Sequence, residues 1–263
     1  MTITWSYVLV GFIVGTCMSY SGVGAGAITT PLLIFLGVST STAIGSDLLF
    51  ALGTKIVAML THVRARTVQW SVLWRLSAGG LPGAIIGVLV SAYLKHHLDV
   101  KQLELVLRIA VACALLISAA GIVFNRKLAR DGSAPADTST PTLRLAALGL
   151  FVGLCVSITS IGAGSLTLPL LLVMAPSIAL RRLVGTDLAF AVVVLVPSLL
   201  GHLKLGDVNP MISVSLLIGS IPGVFVGTYF VTKLPERLFR SALAGILVIV
   251  ALALLPILPH AKG

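Results

Sequence analysis

The chain alternates long apolar runs with short polar breaks. Three runs of spanning length, roughly 46–62, 76–94 and 103–123, precede a polar stretch, and three more, roughly 186–203, 211–232 and 238–258, follow it. Each is near the ~20 residues that a helix needs to cross the hydrocarbon core of a bilayer. Two further segments, 6–37 and 144–175, do not fit one crossing. Each would make about 46 Å of continuous helix at ~1.5 Å per residue. Both are interrupted by glycines, at Gly22, Gly24 and Gly26 and at Gly162 and Gly164. The pattern predicts a hairpin of two shorter helices turning at the glycines in each segment.

The chain also repeats itself. Gly15-Thr-Cys-Met-Ser19 returns as Gly153-Leu-Cys-Val-Ser157, and Gly24-Ala-Gly-Ala-Ile-Thr-Thr-Pro31 as Gly162-Ala-Gly-Ser-Leu-Thr-Leu-Pro169. After a two-residue slip, Gly45-Ser-Asp-Leu-Leu-Phe50 matches Gly185-Thr-Asp-Leu-Ala-Phe190, His62 matches His202, and Gly79-Gly-Leu-Pro82-Gly matches Gly219-Ser-Ile-Pro222-Gly. The expected organisation is a first repeat over 1–124, a polar Pro/Ser/Thr-rich linker over 125–142 and a second repeat over 143–263. The fold class expected is all-α: a polytopic transmembrane bundle of two inverted repeats, each a glycine-broken hairpin plus three spanning helices.

Composition agrees with a membrane solvent. Hydrophobic residues make up 57% of the chain and charged residues 10%, against about a quarter charged in an average soluble domain. The net charge of +10 falls mostly between apolar runs, where it reads as membrane-surface anchoring rather than nucleic-acid binding. Cys17, Cys113 and Cys155 lie in apolar segments without metal-ligand spacing. The first basic residue is Lys55, so no secretory signal peptide is expected. With single crossings at 6–37 and 144–175, basic residues divide almost evenly between the two faces. With hairpins, Arg64, Arg66, Arg75, Arg126, Lys127, Arg130, Arg144, Arg181, Arg182, Lys233, Arg237 and Arg240 share one face, against Lys95, Lys101, Arg108, Lys204 and Lys262 on the other. The positive-inside bias favours the hairpins and makes the richer face cytoplasmic. Each repeat then crosses an odd number of times, which inverts the second relative to the first, a common transporter plan.

Candidate chemistry lies at the breaks. A helix starting after a glycine turn offers free N–H groups and a positive dipole end to an anion. The candidate substrate-binding residues are Ser21, Gly24, Ala25 and Gly26 in the first turn, Thr159, Gly162, Ala163, Gly164 and Ser165 in the second, and Lys55, an ammonium well inside a span whose repeat partner is Leu195. Lys55 is expected either to neutralise Asp187 across the repeat interface or to attract the substrate. Ser46, Asp47, Thr186 and Asp187 are expected to cap their helices or to couple transport to a proton or cation. His62 and His202 sit at span ends, where polar anchoring is expected.

These motifs together resemble the sulfite exporter TauE/SafE family, also called the 4-toluene sulfonate uptake permease family. The resemblance rests on the twin glycine turns with Pro31 and Pro169 downstream, on the Gly45-Ser-Asp and Gly185-Thr-Asp motifs, and on Leu81-Pro82-Gly83 and Ile221-Pro222-Gly223. Departures occur at Ala25 and Ala163, where the turn usually has glycine, and at Ser160. The resemblance implies a transporter of sulfite, sulfonates or related small anions in the bacterial inner membrane. No cofactor, metal or nucleic-acid partner is expected, the partners being the substrate anion and the bilayer, and a homo-oligomer is compatible with the sequence. No phosphate-binding Gly-x-x-x-x-Gly-Lys motif occurs, so direct use of ATP is not expected. Two other readings compete: an intramembrane hydrolase with Ser21 or Ser165 as nucleophile and His62 or His202 as base, and a metal-ion permease built on Asp47 and Asp187.

Overall fold

The computed structural model describes residues 5–21, 26–124, 141–175, 178–231 and 236–255. The described residues form α-helices without strands: α1 (Trp5–Ser21), α2 (Gly26–Phe35), α3 (Thr40–Arg64), α4 (Trp70–His97), α5 (Val100–Phe124), α6 (Thr142–Thr159), α7 (Thr167–Met174), α8 (Leu180–Leu205), α9 (Pro210–Val231) and α10 (Glu236–Leu254). Six helices, α3 to α6, α8 and α9, are long and apolar enough to cross a membrane. Their outer faces carry exposed Leu81, Ile85, Leu89, Ile218, Ile221 and Phe225, the surface a lipid-facing bundle presents. The 144–175 segment is broken at residues 160–166, whereas the turn expected in the 6–37 segment falls on residues 22–25, outside the described residues. α1 gives way to the 10-residue α2, and α6 to the 8-residue α7, each too short to span.

The helices begin earlier than hydropathy indicates. α3 starts at Thr40, capped by Ser39, whose hydroxyl accepts from Thr42 N. Its first turn is polar, so an apolar pattern alone places the start near 46.

Packing pairs one repeat with the other. Gly79 and Gly83 of α4 lie against Ala146 and Leu150 of α6, and Gly149 and Gly153 of α6 against Leu76 and Gly80 of α4. A Cβ at any of these glycines would collide with backbone, so they set the separation of two helices running the same way. The repeat-related pair does the same: Gly11 and Gly15 of α1 meet Leu216 and Ser220 of α9, and Gly219 and Gly223 meet Val8 and Phe12. α3 and its counterpart α8 run oppositely, since Gly45 near the start of α3 meets Asp207 beyond the end of α8, and Gly185 near the start of α8 meets His62 and Thr67 at the end of α3. Antiparallel counterparts are what two oppositely oriented copies produce.

Candidate functional site

The centre of the bundle is an unwound strand of backbone between α6 and α7. Ser160 ends α6 in the left-handed conformation, with φ 61°. Gly162 and Gly164 follow with φ of 140° and 102°, values that only glycine adopts without strain. Thr159 secures the turn: its hydroxyl donates to Cys155 O (2.7 Å) and accepts from Ile161 N (3.1 Å). Leu166 N and Thr167 N both donate to Gly162 O. Non-helical backbone at membrane depth is tolerated where it is buried in protein or lines a cavity, and this segment is buried throughout.

The segment joins two buried carboxylates. At its start the Ser160 hydroxyl donates to Asp47 Oδ2 at 2.7 Å, and Thr30 of α2 donates to the same oxygen at 2.9 Å. Near its end Gly164 and Thr167, whose hydroxyl donates to Gly162 O (3.1 Å), lie beside Asp187. Asp47 is fully buried and Asp187 is 3% exposed. Each keeps a carboxylate oxygen, Oδ1, without a hydrogen-bond partner. Each aspartate therefore sits at the start of the short helix of its own repeat: Asp47 beside Gly26 and Thr30 of α2, Asp187 beside Gly164 and Thr167 of α7. The positive ends expected to face a substrate anion already face resident carboxylates. Asp47 lies seven residues into α3 and Asp187 seven residues into the antiparallel α8, so the two occupy different depths, each about 10 Å from its helix start.

The positive charge is Lys55. It is buried, at 4% exposure, and its charge acts on Asp187. Both line a cavity of about 550 Å³ whose remaining walls include Thr54, Leu168, Leu217, Ser220 and Phe225. Lys55 makes no hydrogen bond among the described residues, so its ammonium is available to a ligand there. Carrying an ionisable group near the middle of a membrane costs about 3 kcal/mol on insertion scales.

Other residues singled out from the sequence lie elsewhere. Gly24 and Ala25 fall outside the described residues, and Ser21 is described only as the end of α1. Ser165 is buried and accepts from Ser118 of α5 (3.2 Å). Ala163 lines the turn. Ser46 and Thr186 do not cap their own helices; they cap the other repeat's. Ser46 Oγ accepts from Asn209 N at the start of α9 (3.0 Å), and Thr186 Oγ1 accepts from Gln69 N at the start of α4 (2.9 Å). Thr30 and Thr167 escaped the sequence reading, although Thr29 and Thr167 recur two residues before Pro31 and Pro169 in the repeat, and Ser160 stood out there only as a departure from the turn's usual pattern.

The histidines bond within their own repeats. His62 Nδ1 meets Thr67 Oγ1 (2.8 Å). His202 is buried, with Nε2 on Ser157 O (2.8 Å) and Nδ1 on Asp207 Oδ2 (3.2 Å). A ring nitrogen facing a carbonyl is a donor, so His202 is not placed to take a proton from a serine hydroxyl. Asp207, on the turn between α8 and α9, also holds Lys95 of α4 at 2.7 Å. Burial pushes its carboxyl up, but hydrogen bonds from His202 and Lys95 and the Lys95 charge outweigh that and hold it below the ordinary carboxylate range.

The chain matches the family described as Sulfite exporter TauE/SafE over residues 7–254. It is 29% identical over 258 residues to the probable membrane transporter protein YjnA of Bacillus subtilis (strain 168), covering 95% of this chain and 99% of that relative. The probable membrane transporter proteins YdhB and YunE of the same organism are 25% and 24% identical, over 90% and 94% of this chain and 94% and 96% of theirs. No solved structure matches.

Proposed function

Because the chain belongs to the sulfite exporter TauE/SafE family and is a multi-pass membrane transporter rather than an enzyme, we propose that it moves a small anion, sulfite or an organosulfonate, across the bacterial inner membrane by alternating access. The observation that carries this reading is Lys55, a buried ammonium free of hydrogen bonds among the described residues and facing a cavity of about 550 Å³. An anion entering the cavity competes with Asp187 for Lys55, and its oxygens gain charge-assisted hydrogen bonds there. The broken helices support the reading, since discontinuous helices at half depth are where secondary transporters hold their cargo. The antiparallel pairing of α3 and α8 supports an inverted arrangement of 1–124 and 143–263 around that site.

Sulfite flux into proteoliposomes, with and without an imposed pH gradient and against protein-free liposomes, tests the proposal. The expected result is gradient-sensitive flux that falls at least about tenfold in Lys55→Leu, the loss of roughly 1.4 kcal/mol or more of binding. Undiminished flux in that variant, or no flux of sulfite, thiosulfate or a simple sulfonate, would remove the assignment.

A further inference from the structure

The two repeat-related aspartates are not equivalent. Asp187 faces Lys55. The position in the second repeat that corresponds to Lys55 is Leu195, which is fully buried. No cation's charge acts on Asp47, whereas Lys55 and Asp187 line one cavity without forming a close ion pair; the ion pairs among the described residues are Lys95–Asp207, Arg108–Glu104 and His202–Asp207. The partners of Asp47 are hydroxyls alone. Thr30 and Ser160 both donate to Oδ2, Thr29 lies alongside, and Oδ1 is buried without a partner. A carboxylate at this depth with no counter-charge is costly to keep ionised.

No other titratable group takes that charge. α2 carries none in Gly26–Phe35. On α5, Glu104 is held by Thr40 N and Oγ1 and by Arg108. The turn before α9 carries Asp207, engaged by Lys95 and His202. α8 carries Asp187, His202, bound to Ser157 O, and three exposed cations at its ends, Arg181 and Arg182 at the start and Lys204 in the last turn. The last turns of α6 carry Cys155. On α3 itself, Lys55 lies eight residues from Asp47, about 12 Å along the axis, and His62 is at the far end.

We propose that Asp47 is the coupling site of the transporter: it holds one exchangeable proton on Oδ1, while Asp187 stays ionised against Lys55. The step is a simple transfer. A proton from water on the side to which the site is open adds to the carboxylate, giving the neutral acid, and leaves to water when the site opens to the other side. Sodium fits less well, because hard cations take roughly six oxygen ligands and Oδ1 is the one carboxylate oxygen here not already committed to a hydroxyl. The coupling role rests on the transporter reading above; the difference between the two aspartates does not.

Infrared difference spectroscopy on the full-length protein in lipid, without substrate, tests the point independently of transport. A protonated carboxyl gives a carbonyl band that shifts in deuterated water. The wild type is expected to show one such pH-dependent band, unaffected by replacing potassium with sodium. Asp47→Asn removes it, Asp187→Asn leaves it, and Lys55→Leu adds a second as Asp187 loses its counter-charge. Size-exclusion profiles identify any variant that fails to fold, and the remaining variants still decide. A band that survives in Asp47→Asn, disappears in Asp187→Asn, is suppressed by sodium at fixed pH, or stays single in Lys55→Leu would overturn the assignment. If the spectra behave as expected while no anion is transported, the protonation stands and the transport reading fails.

Discussion

Ser160 combines two demands in one residue. Its backbone is left-handed, with φ 61°, and its hydroxyl donates to Asp47. The first demand favours glycine, because a side chain in that conformation costs about 1–2 kcal/mol. The second requires a hydroxyl, whose bond to the buried carboxyl is worth about 0.5–3 kcal/mol. The two contributions separate by substitution. Ser160→Ala loses the hydrogen bond and keeps the strained backbone. Ser160→Gly loses the same bond but relieves the strain, less the roughly 0.5–1 kcal/mol of extra chain entropy that glycine gives up on folding. Ser160→Gly is therefore expected to be the more stable variant by roughly 0.5–1 kcal/mol, measured by thermal unfolding in detergent. Equal midpoints would mean that the strain of the left-handed turn is no larger than the chain entropy glycine gives up on folding.

At the scale of elements, the positions of the helices were legible and their partners were not. Long apolar runs mark α3, α4, α5, α8, α9 and α10 because the bilayer demands length and apolarity from each spanning helix separately. The break before α7 was legible from glycine and excess length; the one expected before α2 lies outside the described residues. The pairing of α4 with α6 and of α1 with α9 was present in the sequence as glycines four apart, Gly79-Gly83, Gly149-Gly153, Gly11-Gly15 and Gly219-Gly223. Such spacing says that a helix is approached closely, not by which other helix. The roles of Ser46 and Thr186 were hidden for the same reason: they cap helices of the other repeat, and only the fold brings those together. Of the candidate site, the aspartates and Lys55 could be read because ionisable groups within spans are rare, whereas Thr30, Ser160 and Thr167 look like ordinary small polar residues in a span.

Asp207 provides an element-scale test, because it joins the turn after α8 to Lys95 of α4. Its carboxyl is held below its ordinary value in the folded protein, so its contribution to stability is fully present above the unfolded value of about 3.9. That contribution is lost as the pH falls through the lower folded value. Asp207→Asn is expected to lower the unfolding midpoint at neutral pH, and its difference from wild type should begin to shrink below about pH 4. A difference that grew on acidification would show that the folded protein favours the protonated acid instead.

For the whole molecule, the question is which ends of the helices share a side. The contacts group charges that are distant in sequence. The Arg182 guanidinium reaches Gln69 Oε1 at 3.5 Å, and Gly185 packs on Thr67, so Arg64, Arg66, Arg181 and Arg182 lie at one end of the bundle. Lys95 reaches Leu205 O and Asp207, and Glu104 reaches Thr40, so Lys95, Lys101, Arg108 and Lys204 lie at the other. This grouping agrees with the hairpin division of charge and not with single crossings, which scatter the arginines over both faces. Arginine-rich ends stay on the cytoplasmic side, so single cysteines should report opposite sides. In a background with Cys17, Cys113 and Cys155 replaced, Arg66→Cys and Arg182→Cys should react with a membrane-impermeant thiol reagent only after cells are permeabilised. Lys101→Cys and Lys204→Cys should react in intact cells. Because Arg66 follows α3 of the first repeat and Arg182 opens α8 of the second, a shared cytoplasmic location requires the counterpart helices α3 and α8 to cross in opposite senses. Labelling of Arg66→Cys and Arg182→Cys from opposite sides would therefore reject both the inverted arrangement and the packing of α8 on α3 around Lys55 and Asp187.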